Sequence, residues 1–214
     1  MSQPEFWLIA GPNGAGKTTI MANALLREVS AHVRFLNPDD RTREKLVAEG
    51  WSGFLAVPLP RLQQLFIEAA EEVFGEIQGA VESGEAVGSE SVLSTHKYRP
   101  VVERVRELGG TFCLIYVGLR NAEISAHRVA TRVNEGGHDV PSDRLAERWK
   151  RSVQNLGWYA RQAGRFYVFD NSDSCDGVDP VLIARGGLGS IEIVAPDAIP
   201  EITASLTAAF SRPS

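Results

Sequence analysis

The sequence predicts an α/β fold: a P-loop three-layer αβα sandwich with a mainly parallel sheet, a helical lid, and a small C-terminal β-hairpin and helix. Three observations carry this expectation. Short apolar runs rich in β-branched and aromatic residues alternate with longer stretches of helical period. Several of those runs are almost wholly apolar, as strands covered on both faces must be. A glycine-rich loop joins the first run to the first helix. The length of 214 residues fits one domain, 1–214.

Taken in order, a strand is expected over 6–10 and a helix over 17–29. A second strand, 33–36, precedes a long helix over 61–83 closed by Gly84. Next come a strand over 86–89, a helix over 98–108 ended by Gly109 and Gly110, and the apolar strand 111–119. Helices over 122–133 and 144–163 lead to a strand over 165–169. Beyond Asp170, the runs 181–184 and 190–194 flank Gly186-Gly187-Leu188-Gly189 and read as a hairpin; a short helix over 199–210 closes the chain. No internal repeat, low-complexity tract or linker interrupts this order.

Composition excludes several function classes. The hydrophobic share is 43% and the charged share 23%, which rules out wholesale disorder. Twenty-two basic against 27 acidic residues leave a net charge of −5, so a general nucleic-acid coat or a polybasic membrane-surface role is not expected. Two cysteines, Cys113 and Cys175, are too few for a disulfide framework or a zinc site. The first residues lack a basic region and their apolar stretch ends at Gly11, unlike a signal peptide. No run is long enough to span a bilayer. A cytoplasmic setting is the expectation.

Gly11-Pro-Asn-Gly-Ala-Gly-Lys-Thr-Thr19 matches the Walker A pattern G-x-x-x-x-G-K-[ST] between a strand and a helix. Gly11, Gly14 and Gly16 leave room for backbone N–H groups to converge on phosphate oxygens, with Asn13 and Ala15 between them, and the helix N-terminus adds partial positive charge. Lys17 is expected to be exposed and to bridge the β- and γ-phosphates. Thr18 would complete Mg²⁺ coordination, with Thr19 beside it. The expected cofactors are therefore ATP and Mg²⁺. An ABC-transporter ATPase would need an LSGGQ-like signature, and a GTPase an Asn-Lys-x-Asp motif; neither is present. The strand 111–119 runs into Arg120-Asn121 with no acidic residue, so it is not an ordinary Walker B strand. A small kinase remains, with a carboxylate beside the acceptor hydroxyl and arginines over the transferring phosphoryl.

Asp39 or Asp40 in Asn37-Pro38-Asp39-Asp40 is positioned to be that base or a water-mediated Mg²⁺ ligand; the same residues also suit a turn with a helix cap. Glu90 ends the third strand, with Ser91 and Ser94 as hydrogen-bond donors; a solvated Glu is its plain alternative. Arg128 and Arg132 are four apart and share a helix face ahead of Gly136-Gly137-His138 and Pro141, a composition suited to a lid. Arg144, Arg148 and Arg151 form a second set. Either set reads equally as solvated arginines paired with glutamates.

The chain resembles the zeta-toxin family of P-loop kinases, in particular the compact branch labelled "predicted ABC-type ATPase". The resemblance rests on the phosphate loop, Asn37-Pro-Asp39, Glu90-Ser-Val-Leu-Ser94, Arg128-Val-Ala-Thr-Arg132-Val, Gly136-Gly-His-Asp-Val-Pro141 and Phe169-Asp-Asn-Ser172. It implies transfer of the γ-phosphate of ATP to a hydroxyl of UDP-N-acetylglucosamine. By position it assigns Asp39 as the base, Glu90 with Ser91 as the acceptor clamp, and Arg128 and Arg132 as phosphate clamps. It sets His138 at the lid tip and Asp170-Asn171-Ser172, with Asn171 foremost, at the adenine or ribose. A protein antitoxin is the implied partner. The alternative function is a P-loop switch or nucleic-acid-linked accessory with no sugar substrate.

Overall fold

The computed structural model describes residues 2–21, 31–134, 142–173 and 179–211. Five strands run parallel: β1 (Glu5–Ala10), β2 (Arg34–Leu36), β3 (Ala86–Ser91), β4 (Thr111–Gly118) and β5 (Arg165–Asp170). The antiparallel hairpin of β6 (Val181–Gly187) and β7 (Ser190–Ile193) extends the sheet beyond β5. The strand order is β2-β3-β1-β4-β5-β6-β7.

The alternation of side chains along the central strands builds two cores. Phe6, Leu8, Phe112, Leu114 and Tyr116 face one side, where α3 (Leu59–Glu82), α4 (Arg99–Glu107), α6 (Ser142–Gln162) and α7 (Pro200–Phe210) cover them. Trp7, Ile9, Cys113, Ile115 and Val117 face the other, against Ile20 of α1 (Lys17–Met21) and Ile124 of α5 (Ala122–Asn134). Cys113 is thus the buried strand residue expected, and burial pushes its thiol up to about 12. Gly84 and Gly109 close their helices at φ 74° and 71°.

The predicted order holds, with changes at the edges. The third strand, whose apolar run covers 86–89 with Glu90 expected at its end, continues through Glu90 to Ser91. An additional helix, α2 (Pro38–Ala48), follows β2. Its apolar face is short, with only Thr42 and Leu46 buried, so periodicity gives little sign of it. Pro38 in its first turn is the clearer marker. The first helix is described only through Met21, and the expected remainder lies outside the described residues.

The α2–α3 pair forms an arm with its own small core of Leu46, Val57, Leu62 and Leu65. Ion pairs tie the two helices: Arg41 to Glu72 and Glu76, and Lys45 to Glu68 and Glu72. All five parallel strands end at one edge of the sheet, where α/β folds bind ligands.

Candidate active site

The phosphate loop leaves β1 through Gly11, at φ 145°, whose N–H donates to Ser91 O at 3.1 Å. A Cβ at Gly11 would lie 2.1 Å from Val117 O, so only glycine fits. Gly16, at φ 84°, leaves space in which a Cβ would meet the Asn171 amide nitrogen at 2.5 Å. Two buried polar side chains hold the loop from behind. Ser125 Oγ donates to Asn13 O at 2.7 Å, and Asn171 Nδ2 donates to Ala15 O at 2.7 Å. The Asn13 side-chain oxygen is itself buried and finds no hydrogen-bond partner among the described residues.

Lys17 departs from expectation: it is half-buried and curls back onto the loop, donating to Gly11 O at 2.9 Å and Pro12 O at 3.0 Å. Burial lowers its pKa to about 8; the Glu90 and Asp39 carboxylates oppose that shift, and Arg132 adds to it. Thr18 is exposed, and its hydroxyl donates to Glu90 Oε1 at 3.3 Å. Burial raises the Glu90 carboxyl above its ordinary value against the pull of Lys17 and Thr18, with Asp39 and Asp40 reinforcing the rise. Glu90 therefore faces the phosphate loop itself.

Asp39 sits exposed in the first turn of α2. The cap is Asn37, whose side chain accepts from Asp39 N at 2.9 Å, so neither aspartate is spent as the cap. Asp40 pairs with Arg43 at 2.8 Å; both aspartates act on Glu90, and Asp39 acts on Lys17 as well. Ser91 Oγ accepts from Leu93 N at 3.0 Å, which orients the turn after β3.

The two α5 arginines separate in role. Arg128 Nη2 donates to Ser172 O at 3.0 Å and Nη1 to Gly14 O at 3.4 Å, clasping the loop flank to the end of β5. Arg132, one turn further, is exposed, and its charge reaches Lys17. Asn171 was expected to border the nucleotide. Instead it is 6% exposed and its amide is committed to the loop, so it acts as a brace. Of the second arginine set, Arg151 pairs with Glu147 at 3.8 Å. His138, Gly136, Gly137 and Pro141 lie outside the described residues.

Sequence reasoning missed Ser125, Ser89 and Asn155, small polar residues on otherwise apolar faces. Ser89 Oγ bonds Leu36 O at 2.8 Å and lies 3.1 Å from Tyr98 Oη, tying the ends of β2 and β3 together. A cleft of about 1020 Å³ lies elsewhere: it runs between α6 and α7, lined by Arg99, Trp158 and Arg161 among others, and the phosphate loop is not part of its lining. The chemistry-bearing residues instead gather on an open rim. Among the described residues no cluster of three or more acidic, His or Cys side chains is arranged for a metal, and no helix is long and apolar enough to cross a membrane.

No protein-family profile and no curated protein matches the sequence. Solved structures do match. The chain aligns over 94% of its length with 64% of a chain from the AvrRxo1-ORF1:-ORF2 complex with ATP, at TM-score 0.70 and 17% identity. It aligns over 82% with 72% of a chain from the PezAT chromosomal toxin–antitoxin system of Streptococcus pneumoniae, at TM-score 0.55 and 18% identity. A chain of the Pnkp1/Rnl/Hen1 RNA repair complex matches 73% of it, with 46% of that chain covered, at TM-score 0.53 and 13% identity. The chain thus spans under two thirds of the AvrRxo1 structure it matches. These likenesses establish the fold.

Proposed function

We propose that this protein is an ATP-dependent phosphotransferase that moves the γ-phosphate of ATP to the hydroxyl of a small acceptor. The observation that carries the reading is the cluster at the working end of the loop. There Thr18 touches Glu90 at 3.3 Å, and Lys17 feels Glu90, Arg132 and Asp39 together. Two carboxylates and an arginine converging on the loop, one of the carboxylates on a separate helix where an acceptor hydroxyl can meet it, suit transfer. The fold shared with an ATP-bound structure supports ATP as the donor.

Lys17 holds the β- and γ-phosphates after leaving the Gly11 and Pro12 carbonyls, and the loop N–H groups cradle the rest. The Thr18 hydroxyl and Glu90 carboxylate are oxygen donors suited to Mg²⁺, which keeps most of its ligands as water and phosphate and, when bound, neutralises phosphate charge. Asp39 accepts the acceptor's hydroxyl proton as that oxygen bonds to the γ-phosphorus; the bond to the β–γ bridging oxygen breaks and ADP leaves. Arg132 stabilises the charge on the transferring group. Arg128, bound to the loop, keeps α5 and the loop in register.

UDP-N-acetylglucosamine is the proposed acceptor, on the residues shared with the zeta-toxin kinases. A protein antitoxin is the proposed partner and a cytoplasmic setting the proposed location; the neighbours from a toxin–antitoxin system and from a two-component complex support the partner. The test is ATP consumption with and without nucleotide sugars, with products identified by mass. A phosphorylated UDP-N-acetylglucosamine supports the reading. Turnover indifferent to every nucleotide sugar but raised by RNA or DNA establishes the nucleic-acid-linked alternative instead.

A further inference from the structure

The turn leaving β3 is held against its own backbone preference. Leu93 lies at φ 60°, a left-handed conformation disfavoured for a branched side chain, and is 1% exposed. Such residues persist where the surroundings over-determine them. Here Leu93 N donates to Ser91 Oγ at 3.0 Å, and Leu93 O accepts from Asn155 Nδ2 at 2.9 Å. Asn155 is 8% exposed and belongs to α6, on a different part of the chain.

The second atom of that amide fixes a histidine. Asn155 Oδ1 lies 3.0 Å from His96 Nε2. A backbone carbonyl only accepts, so the Asn155 atom facing Leu93 O is the nitrogen, and the atom facing His96 is the oxygen. His96 Nε2 must then carry the hydrogen, which in a neutral ring leaves Nδ1 as an acceptor. The His96 side chain is exposed on the segment that follows the carboxyl end of β3, and its backbone carbonyl is held by Arg99 N at 3.0 Å.

We propose that Asn155 is a positioning residue for the acceptor side of the site. It locks the Leu93 turn that follows Glu90 and Ser91, and it presents His96 Nδ1 as the hydrogen-bond acceptor for a substrate hydroxyl. This rests on the reading that an acceptor hydroxyl enters at this edge. No spacing in the sequence links His96 to Asn155; the fold alone joins them.

The test uses the whole chain in two arms. Nitrogen-15 spectra of the imidazoles are recorded at a pH where the rings are neutral. His96→Gln identifies the resonance among four histidines. The expected wild-type ring is wholly the Nε2–H tautomer, and Asn155→Leu returns it to a mixture. Asn155→Asp, closer in shape and still an acceptor, keeps the tautomer while losing the donor to Leu93 O.

In the kinetic arm, with ATP and UDP-N-acetylglucosamine, Asn155→Leu and His96→Gln should each raise the acceptor KM about tenfold. The ATP KM should stay within twofold, and the double variant should be no worse than the worse single. A proton on Nδ1, a ring unmoved by Asn155→Leu, a parallel rise in both KM values, or multiplying effects would each overturn the inference. A wild-type chain that phosphorylates no acceptor overturns the transferase reading and the role of His96 with it, whereas normal variants of an active enzyme overturn only the latter.

Discussion

The phosphate loop and the α2–α3 arm supply opposite halves of the same site and are held by opposite means. The loop is fixed by backbone proximity and buried hydrogen bonds, with the β4 backbone against Gly11, and Ser125 and Asn171 behind. In the arm, α3 is anchored in the main core through Val73 and Ile77. Helix α2 is held to it by a small apolar cluster and a ladder of ion pairs on partly exposed arginine, lysine and glutamate side chains. Buried contacts of the first kind tolerate no change of shape, whereas exposed ion pairs are each worth about 1 kcal/mol or less. In the proposed mechanism the donor side is therefore the rigid one, and α2, which would carry the base, the more compliant one. A rigid cradle for the proposed constant ligand, ATP, beside an adjustable wall for the proposed acceptor would suit an enzyme that must close on its second substrate.

The sharpest way to break the contrast is Gly11→Ala. Its methyl would overlap the Val117 carbonyl, and because the clash is with backbone it has no side chain to displace. The expected loss is about 3 kcal/mol or more of stability, read by denaturant unfolding. A variant within about 1 kcal/mol of wild type would show that the loop yields.

Next is Lys17→Ala, expected to lower ATP turnover at least tenfold while the fold survives. The burial that lowers Lys17 to about 8 also sets a sign. The folded group holds its proton less tightly than in the unfolded chain, where the ordinary value is 10.5, so the charged form costs stability at pH 7. That cost is relieved as pH rises from about 8 toward 10.5. Lys17→Ala should therefore not lower the melting temperature of the ATP-free protein at pH 7. ATP, which needs the ammonium, should bind more weakly above about pH 8. A marked loss of stability in the variant, or affinity flat through that range, contradicts the placement of Lys17.

The smallest effect is expected in the arm. Arg41 pairs with Glu44, Glu72 and Glu76, yet Arg41→Gln should cost about 1 kcal/mol or less, and the difference should shrink in 1 M salt. A loss of several kcal/mol that salt leaves untouched would make the arm as rigid as the loop.

Legibility in the sequence followed the same divide. The strands, the phosphate loop and the C-terminal hairpin were readable because apolar runs and the spacing of Gly11, Gly14, Gly16 and Lys17 are local signals. Helix α2 was legible only as a helix start near Asp39 and Asp40, and its extent was not: its charged residues serve the ion-pair ladder and leave little periodicity to see. Asn37 as cap and Lys17 folded onto carbonyls use partners within a few residues and depend on the exact local backbone, whereas Asn171 as brace depends on a partner brought by the fold. Asn171 and the loop it supports are more than 150 residues apart in sequence, as the Asn171–Ala15 bond shows. The Arg-rich face of α5 was legible as a set, but that Arg128 clasps the loop flank while Arg132 acts on Lys17 follows from where Ser172 and Lys17 sit.

The central claim is that the compliant side carries the base at Asp39, and its neighbour tests it. Both aspartates act on Glu90, but Asp40 is engaged by Arg43, whereas Asp39 acts on Lys17 as well. The decisive measurement is single-turnover phosphoryl transfer for Asp39→Asn and Asp40→Asn, beside ATP binding by calorimetry. The account predicts that Asp39→Asn abolishes transfer with ATP affinity unchanged or slightly raised, and that Asp40→Asn transfers at close to the wild-type rate. An inactive Asp40→Asn with an active Asp39→Asn, or full activity in both, would contradict it.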